Sequence, residues 1–262
     1  MKRKTSGKKI DFQLIAANID TAFIVQSLDA NYNLRRLERY LVMIYESNIQ
    51  PIVLLSKSDL MASEEIETRI AAIKQIMPNV QVQPFSNENG SGMERVKGLL
   101  ASGQTYCLLG SSGVGKTTLL NNLIGEFLFE TKTIREKDGK GRHTTTQRQL
   151  IRLDCGAMVI DNPGMREFGI FSVESGLNEA FSEIMELSKQ CKFKDCTHMN
   201  EKGCAVLAAI EEGKLPKNRY QNYIKMNRES LYNEMSYLDK RKKDKEFGKM
   251  CKSVMKHKKN KR

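Results

Sequence analysis

No run of apolar residues in this chain approaches the length of a transmembrane helix, and the basic start at residues 1–9 leads into a mixed segment at 10–20, not into a signal-peptide core. Neither a membrane span nor export is expected, and the sequence points to the cytoplasm. Cysteine is scarce, six in 262 residues, which excludes a disulfide scaffold; in a reducing compartment, clustered cysteines more often hold metal. Acidic residues are missing from 1–9, which holds five Lys/Arg, and only Asp244 and Glu246 stand among the twelve Lys/Arg of 240–262. These ends carry +5 and +10 of the chain's net +12, which leaves residues 10–239 at −3. Basic tails on a mildly acidic body favour a polyanion such as RNA, because Lys and Arg near phosphates release condensed counterions. A solvated tail kept for solubility has the same composition.

With 40% hydrophobic and 28% charged residues, the chain can bury one medium core plus a smaller satellite. Apolar runs at 22–27, 51–55, 80–84 and 106–109 have strand length, and 34–45, 64–77, 93–100 and 116–124 have helical character. This alternation predicts a parallel sheet flanked by helices. A polar stretch at 131–147 has no periodicity, and two more strands are expected at 149–153 and 157–160. Beyond Phe171 come helical segments, a Cys/His cluster and a Lys-rich end. The expected organisation is a basic tail at 1–9, an α/β domain at 10–171, a small helical domain at 172–239 and a basic tail at 240–262.

Chemistry concentrates at Gly110-Ser111-Ser112-Gly113-Val114-Gly115-Lys116-Thr117, the pattern G-x-x-x-x-G-K-S/T between a strand and a helix. Backbone N–H groups and the helix N-terminus can wrap phosphates there, with Thr118 completing the set. Lys116 would reach the β and γ phosphates, and the Thr117 hydroxyl would ligate Mg²⁺. A second element follows at Met158-Val159-Ile160-Asp161-Asn162-Pro163-Gly164, an apolar strand ending in Asp. Asp161 would hold Mg²⁺ through water, and the Gly164 N–H could sense the γ phosphate.

Upstream, Ser56-Lys57-Ser58-Asp59 resembles the guanine-specificity motif N-K-x-D. Its Asp carboxylate accepts two hydrogen bonds from guanine and its Lys stem covers the base. Ser86 and Asn87, after the next strand, could offer backbone N–H to the guanine O6. Ser56 stands in place of Asn, and its shorter side chain is expected to lose the bond that ties the base loop to the phosphate loop.

In ordinary GTPases the base-recognition segment follows the phosphate segments, whereas here it precedes them. The ordered set also includes Arg39-Tyr40-Leu41, Gly141-Arg142-His143-Thr144-Thr145-Thr146 and a Cys/His cluster. With it, the chain resembles the circularly permuted, ribosome small subunit-dependent GTPase A family (RsgA, YjeQ, YloQ). The resemblance implies a circularly permuted P-loop GTPase domain with a small, mainly helical zinc-binding C-terminal domain. It implies GTP/GDP as ligands, Mg²⁺ and Zn²⁺ as cofactors, GTP hydrolysis, and action in maturation of the small (30S) ribosomal subunit through rRNA, as a monomer away from membranes. Residues 141–146 would form the first switch, with one threonine, Thr145 for preference, completing the Mg²⁺ shell. Met165 stands where many GTPases carry a water-orienting Gln, so His143, with Lys116, is the local catalytic candidate. Family members carry an N-terminal OB-fold; only nine residues precede the Ile10 segment here, too few for a β-barrel.

Cys191-x4-Cys196-x-His198-x5-Cys204 gathers four soft ligands suited to tetrahedral Zn²⁺ with every position filled, a structural site. The spacing is looser than paired C-x2-C motifs, and register with the family strengthens it. Cys107, on the strand feeding the phosphate loop, reads as a buried apolar residue. An ATP-driven transporter subunit shares the string Ser-Gly-Val-Gly-Lys-Thr-Thr-Leu, but no signature motif follows it and Asp161 precedes Asn, not Glu. A nucleotide-gated RNA-binding module with little turnover is the other alternative, prompted by Ser56 and Met165.

Overall fold

The computed structural model describes residues 2–4, 12–14, 16–129, 149–161 and 172–259. At its centre lies a six-stranded sheet in the order β5-β4-β3-β6-β8-β7. The strands are β3 (Thr21–Ser27), β4 (Gln50–Ser56), β5 (Gln81–Pro84), β6 (Thr105–Leu109), β7 (Gln149–Arg152) and β8 (Met158–Asp161). All neighbours pair in parallel except β7, which runs antiparallel to β8 at the edge. A separate ladder pairs β1 (Lys2–Lys4) antiparallel with β2 (Phe12–Leu14), so part of the basic N-terminal tail is strand.

The central strand explains why the apolar runs read as continuous and not alternating. All seven residues of β3 are buried, because helices cover both faces of a parallel sheet. Ala22 and Ile24 point into one core with α1 (Leu34–Tyr45) and α2 (Ser63–Ile76). Phe23 and Val25 point into the other with α3 (Met93–Lys97) and α4 (Lys116–Ile124). Cys107 is fully buried in the first core, as its strand position implies. In α1 the spacing Leu34, Leu37, Leu41, Ile44 supplies the inward stripe, and the Asn33 side chain caps the helix by accepting from Arg36 N–H at 3.1 Å. The helix expected to reach residue 100 stops at Lys97, where the Gly98 N–H closes on Glu94 O.

Residues beyond 172 build a third apolar cluster from α5 (Glu174–Ala180), α6 (Ser182–Ser188), α7 (Ala205–Glu211) and α8 (Lys217–Glu234). Val42 of α1 belongs to it. A side chain at Gly176 would place its Cβ 2.0 Å from Val42 O, so only glycine lets α5 rest on the α1 backbone. Glu46, at the end of α1, accepts from Ser175 Oγ and Gly176 N–H, both at 2.8 Å. The last helix, α9 (Tyr237–Lys259), runs through residue 240, so the charge boundary falls inside one helix. Lys and Arg are good helix formers, and a change in charge is not a change in backbone.

Candidate functional site

Ligands of open α/β sheets bind beyond the carboxyl ends of the strands where the strand order reverses. That reversal lies between β3, followed outward by β4 and β5, and β6, followed outward by β8. The loop after β6 is the glycine-rich segment. Gly110 has φ +143° and its Cβ position lies 2.2 Å from Val25 O, so the loop leaves β6 in contact with the β3 backbone. Gly115 has φ +90° and faces the Asn87 side chain. Lys116 opens α4 and its Nζ donates to Gly110 O at 2.7 Å and Ser111 O at 2.6 Å, which folds the ammonium back onto the start of the loop. Thr117 and Thr118 follow in the first turn of α4, half-buried. Asp161 ends β8 in register with Leu108 of β6 and is buried, so its carboxylate lies one strand from the phosphate loop. Ser112, Gly113 and Val114 complete the loop, with Val114 packed into the core.

The segment 56–59 stands beside this loop. Ser56 is fully buried, and its Oγ donates to Val114 O at 2.6 Å. The expected loss of the base-loop tether is therefore corrected: β4 brings Ser56 close enough for a hydroxyl to make the bond. Lys57 adopts left-handed backbone (φ +60°), and its Nζ pairs with Asp29 at 2.7 Å. Burial pulls the Asp29 carboxyl up, but the hydrogen bonds from Lys57, Ser27 and Asn31 N–H outweigh it and hold Asp29 below the usual carboxylate range. Asp59 lies in a 3₁₀ turn, Ser58–Leu60, and its Oδ1 accepts from Ser86 Oγ at 2.5 Å.

Ser86 and Asn87 act here through side chains. The Ser86 N–H, assigned from sequence to the guanine carbonyl, already donates to Ser91 O at 2.8 Å. Asn87 Nδ2 donates to Gly115 O at 3.1 Å, and Asn122 Nδ2 donates to Asn87 Oδ1 at 3.0 Å. The base loop and the phosphate loop are thus joined twice, at Val114 and at Gly115. His143, Thr145 and Gly164, with the rest of both switch segments, lie outside the described residues.

The second cluster is Cys191, Cys196, His198 and Cys204, whose ligand atoms all lie within 4.8 Å of one another. Cys191 Sγ is 3.9 Å from Cys204 Sγ, and His198 Nδ1 is 3.6 and 3.4 Å from the two sulfurs. Tetrahedral Zn²⁺, with bonds of about 2.3 Å to sulfur and about 2.0–2.1 Å to nitrogen, needs S–S and S–N separations of about 3.8 and 3.6 Å. The residues fit the ion. Desolvation, and then the sulfurs of Cys204 and Cys191, push the Cys196 thiol up to about 11, a penalty that a divalent cation among the sulfurs reverses.

Sequence reasoning missed the groups that shape this loop. The Glu201 carboxylate accepts from the N–H groups of Thr197, Met199 and Asn200 at 2.8–3.1 Å and from the Thr197 hydroxyl. The Thr197 hydroxyl first, with the N–H groups of Thr197, Asn200 and Glu201 itself, outweighs desolvation and holds its carboxyl at about 2. Tyr220 OH donates to His198 O at 2.5 Å, orienting a ligand that sits in left-handed backbone at φ +59°. Also missed was Arg219 of α8, buried over the Phe181 ring at 4.3 Å. It donates to Glu38 of α1 at 2.6 Å, to Glu183 at 2.5 Å and to Ala180 O at 2.6 Å. No motif announces it, because its partners come from four elements, α1, α2, α5 and α6.

The sequence model of the RsgA GTPase family matches residues 1–171. The chain belongs to the RsgA GTPase family. It is a GTP hydrolase of circularly permuted order, with the base-recognition segment ahead of the phosphate loop. Among curated relatives it is 41% identical over 253 residues to small ribosomal subunit biogenesis GTPase RsgA 2 of Vibrio parahaemolyticus, spanning 97% of this chain and 70% of that protein. It is 49% identical over 222 residues to the protein of that name from Lactiplantibacillus plantarum, spanning 85% of this chain and 62% of the relative. Among solved structures, YjeQ from Thermotoga maritima matches with TM-score 0.61 at 28% identity, over 82% of this chain and 72% of the other. The circularly permuted GTPase YloQ matches with TM-score 0.58 at 28% identity, over 80% and 68%.

Proposed function

We propose that this GTPase binds GTP across the paired loops at the sheet switch point and uses the hydrolysis cycle in biogenesis of the small ribosomal subunit, in the cytoplasm and as a monomer. The observation that carries the nucleotide reading is the double join between loops, Ser56 Oγ to Val114 O and Asn87 Nδ2 to Gly115 O. It sets a base-recognition wall and a phosphate wall side by side. Asp59, held by Ser86, accepts the two guanine donors, a pairing that adenine cannot supply. The Asn87 N–H would donate to the guanine O6, while the Lys57 stem, anchored at Asp29, covers the base. Lys116 and the loop N–H groups of 110–117 hold the phosphates.

Mg²⁺, when bound, would supply charge neutralisation at the phosphates. Thr117 and Asp161, through water, would hold it from the described residues, and Thr145 would join them. His143 would orient the attacking water and Gly164 would sense the γ phosphate. Zn²⁺ on Cys191, Cys196, His198 and Cys204 would act structurally, since four protein ligands leave no open position. No helix among the described residues is long and apolar enough to cross a membrane. The ribosomal role rests on the relatives' names together with the basic segments at 1–9 and 240–262, which suit rRNA phosphates.

The test compares GTP, GDP and ATP binding on wild type and Asp59→Asn, followed by single-turnover hydrolysis with and without 30S subunits. Wild type should prefer GTP over ATP by more than 100-fold, because a site built to bond guanine donors rejects an analogue lacking them. Asp59→Asn should lose most of that preference, and 30S subunits should accelerate hydrolysis. Equal GTP and ATP binding by wild type would overturn the nucleotide reading, and an unchanged rate with 30S would overturn the ribosomal one.

A further inference from the structure

The second residue of the phosphate loop is held from outside the loop. Ser111 Oγ accepts from Arg36 Nη1 at 2.5 Å, across 75 residues of sequence. The same hydroxyl is hydrogen-bonded to Tyr40. Arg36 and Tyr40 stand four apart on α1, on one face of the helix. The Asn33 cap fixes the turn that carries Arg36. Tyr40 is buried, and burial pushes its phenol up, so it stays protonated and hydrogen-bonding at neutral pH. The Ser111 carbonyl accepts from Lys116 Nζ at 2.6 Å. Ser111 is therefore fixed twice, through its hydroxyl by a guanidinium and through its carbonyl by the loop's own ammonium.

We propose that Arg36 is a positioning residue for the triphosphate: acting through the Ser111 hydroxyl, it sets the phosphate-loop N–H groups and adds a second cation to the loop whose carbonyls Lys116 holds, favouring GTP over GDP. This rests on the GTPase reading above. A guanidinium does not deprotonate, and a half-buried cation is screened less by salt than an exposed one. GTP carries more negative charge than GDP, and the added charge lies on the γ phosphate, which Lys116 and the loop must hold. A cation fixed to the outside of the loop therefore acts more on the triphosphate than on the diphosphate. The phosphate-loop pattern specifies glycines, Lys and Thr and says nothing of its second position, so this contact adds to the motif.

The experiment measures equilibrium affinity for GDP and for a non-hydrolysable GTP analogue, with thermal unfolding, on wild type, Arg36→Gln, Arg36→Lys, Ser111→Ala and the Arg36→Gln/Ser111→Ala double variant. Arg36→Gln should weaken the analogue about 10-fold, the size of one hydrogen bond to a charged group, and GDP by no more than about 2-fold. Arg36→Lys should fall between wild type and Arg36→Gln. Ser111→Ala should give most of the same loss, and the double variant should be no weaker than Arg36→Gln alone, since both remove one contact. Unfolding midpoints should stay together. Equal losses for GDP and analogue, losses that multiply in the double variant, or wild-type affinities in Arg36→Gln would each overturn the positioning role and leave the GTPase reading standing. Wild type that binds no GTP would overturn both.

Discussion

Around the sheet, two apolar clusters cover opposite faces, with Ile24, Leu37 and Leu41 fully buried in one and Phe23, Phe85 and Leu54 in the other. Residues 172–235 have a single cluster that takes in Val42 from α1. One end of this segment closes on four metal-ligand side chains and a carboxylate-bound loop. The first region can be stable on hydrophobic burial alone, while the second is small enough to need a staple. Their join differs from both: a buried ion pair, Arg219 with Glu38, extended by the exposed carboxylate of Glu183 and set in an apolar contact. Buried ion pairs add little net stability but punish the loss of one partner, so this join specifies a pose more than it adds strength.

The largest expected effect separates the two regions by metal. Structural Zn²⁺ contributes about 10–16 kcal/mol in small zinc domains at neutral pH. Treating the protein with a chelator that strips metal from Cys191, Cys196, His198 and Cys204, or Cys204→Ser, should expose the amides of α6 and α7 to hydrogen exchange. Protection of β3, β4 and β6 and affinity for GDP should persist. Loss of GDP binding together with the helical segment would show that the two regions fold as one unit.

A smaller effect breaks the join. Arg219→Ala leaves Glu38 buried without its cation and should cost about 3–5 kcal/mol in denaturant unfolding. Arg39 pairs with Glu229 across the same interface, but both side chains are over a quarter exposed. Arg39→Ala should therefore cost less than about 1 kcal/mol. Equal losses for the two variants would show that burial is not what distinguishes these pairs.

The smallest effect lies within the first region. Ser56→Ala removes one hydrogen bond and leaves Val114 O buried, which should cost about 1 kcal/mol. Isothermal titration should show GDP and GTP both weakened about 5-fold, with no change in the helical segment. A larger loss for GTP alone would place the tether's effect on the γ phosphate rather than on the base loop.

Much of the fold was legible because local patterns encode local backbone. Apolar runs of strand length marked β3, β4 and β6, and α1 and α4 were expected at 34–45 and 116–124, the limits observed. The phosphate loop and the four clustered ligands were legible for the same reason, each being a short pattern with one chemistry. The Ser56 tether was misjudged, since side-chain length says nothing about how near β4 brings the two loops. The use of the Ser86 N–H by Ser91 was hidden too, because it depends on how the loop after β5 turns back.

By itself the sequence determined the order of the motifs, the chemistry of each and the division into an apolar sheet region and a cysteine-bearing helical one. Tertiary structure alone decided which distant groups meet: Ser56 with Val114 across 58 residues, Arg36 with Ser111 across 75, and Glu38 with Arg219 across 181. The physical reason is one of range. Propensity, periodicity and turn chemistry act over a few residues, whereas these contacts depend on strand register and helix packing summed over the whole domain.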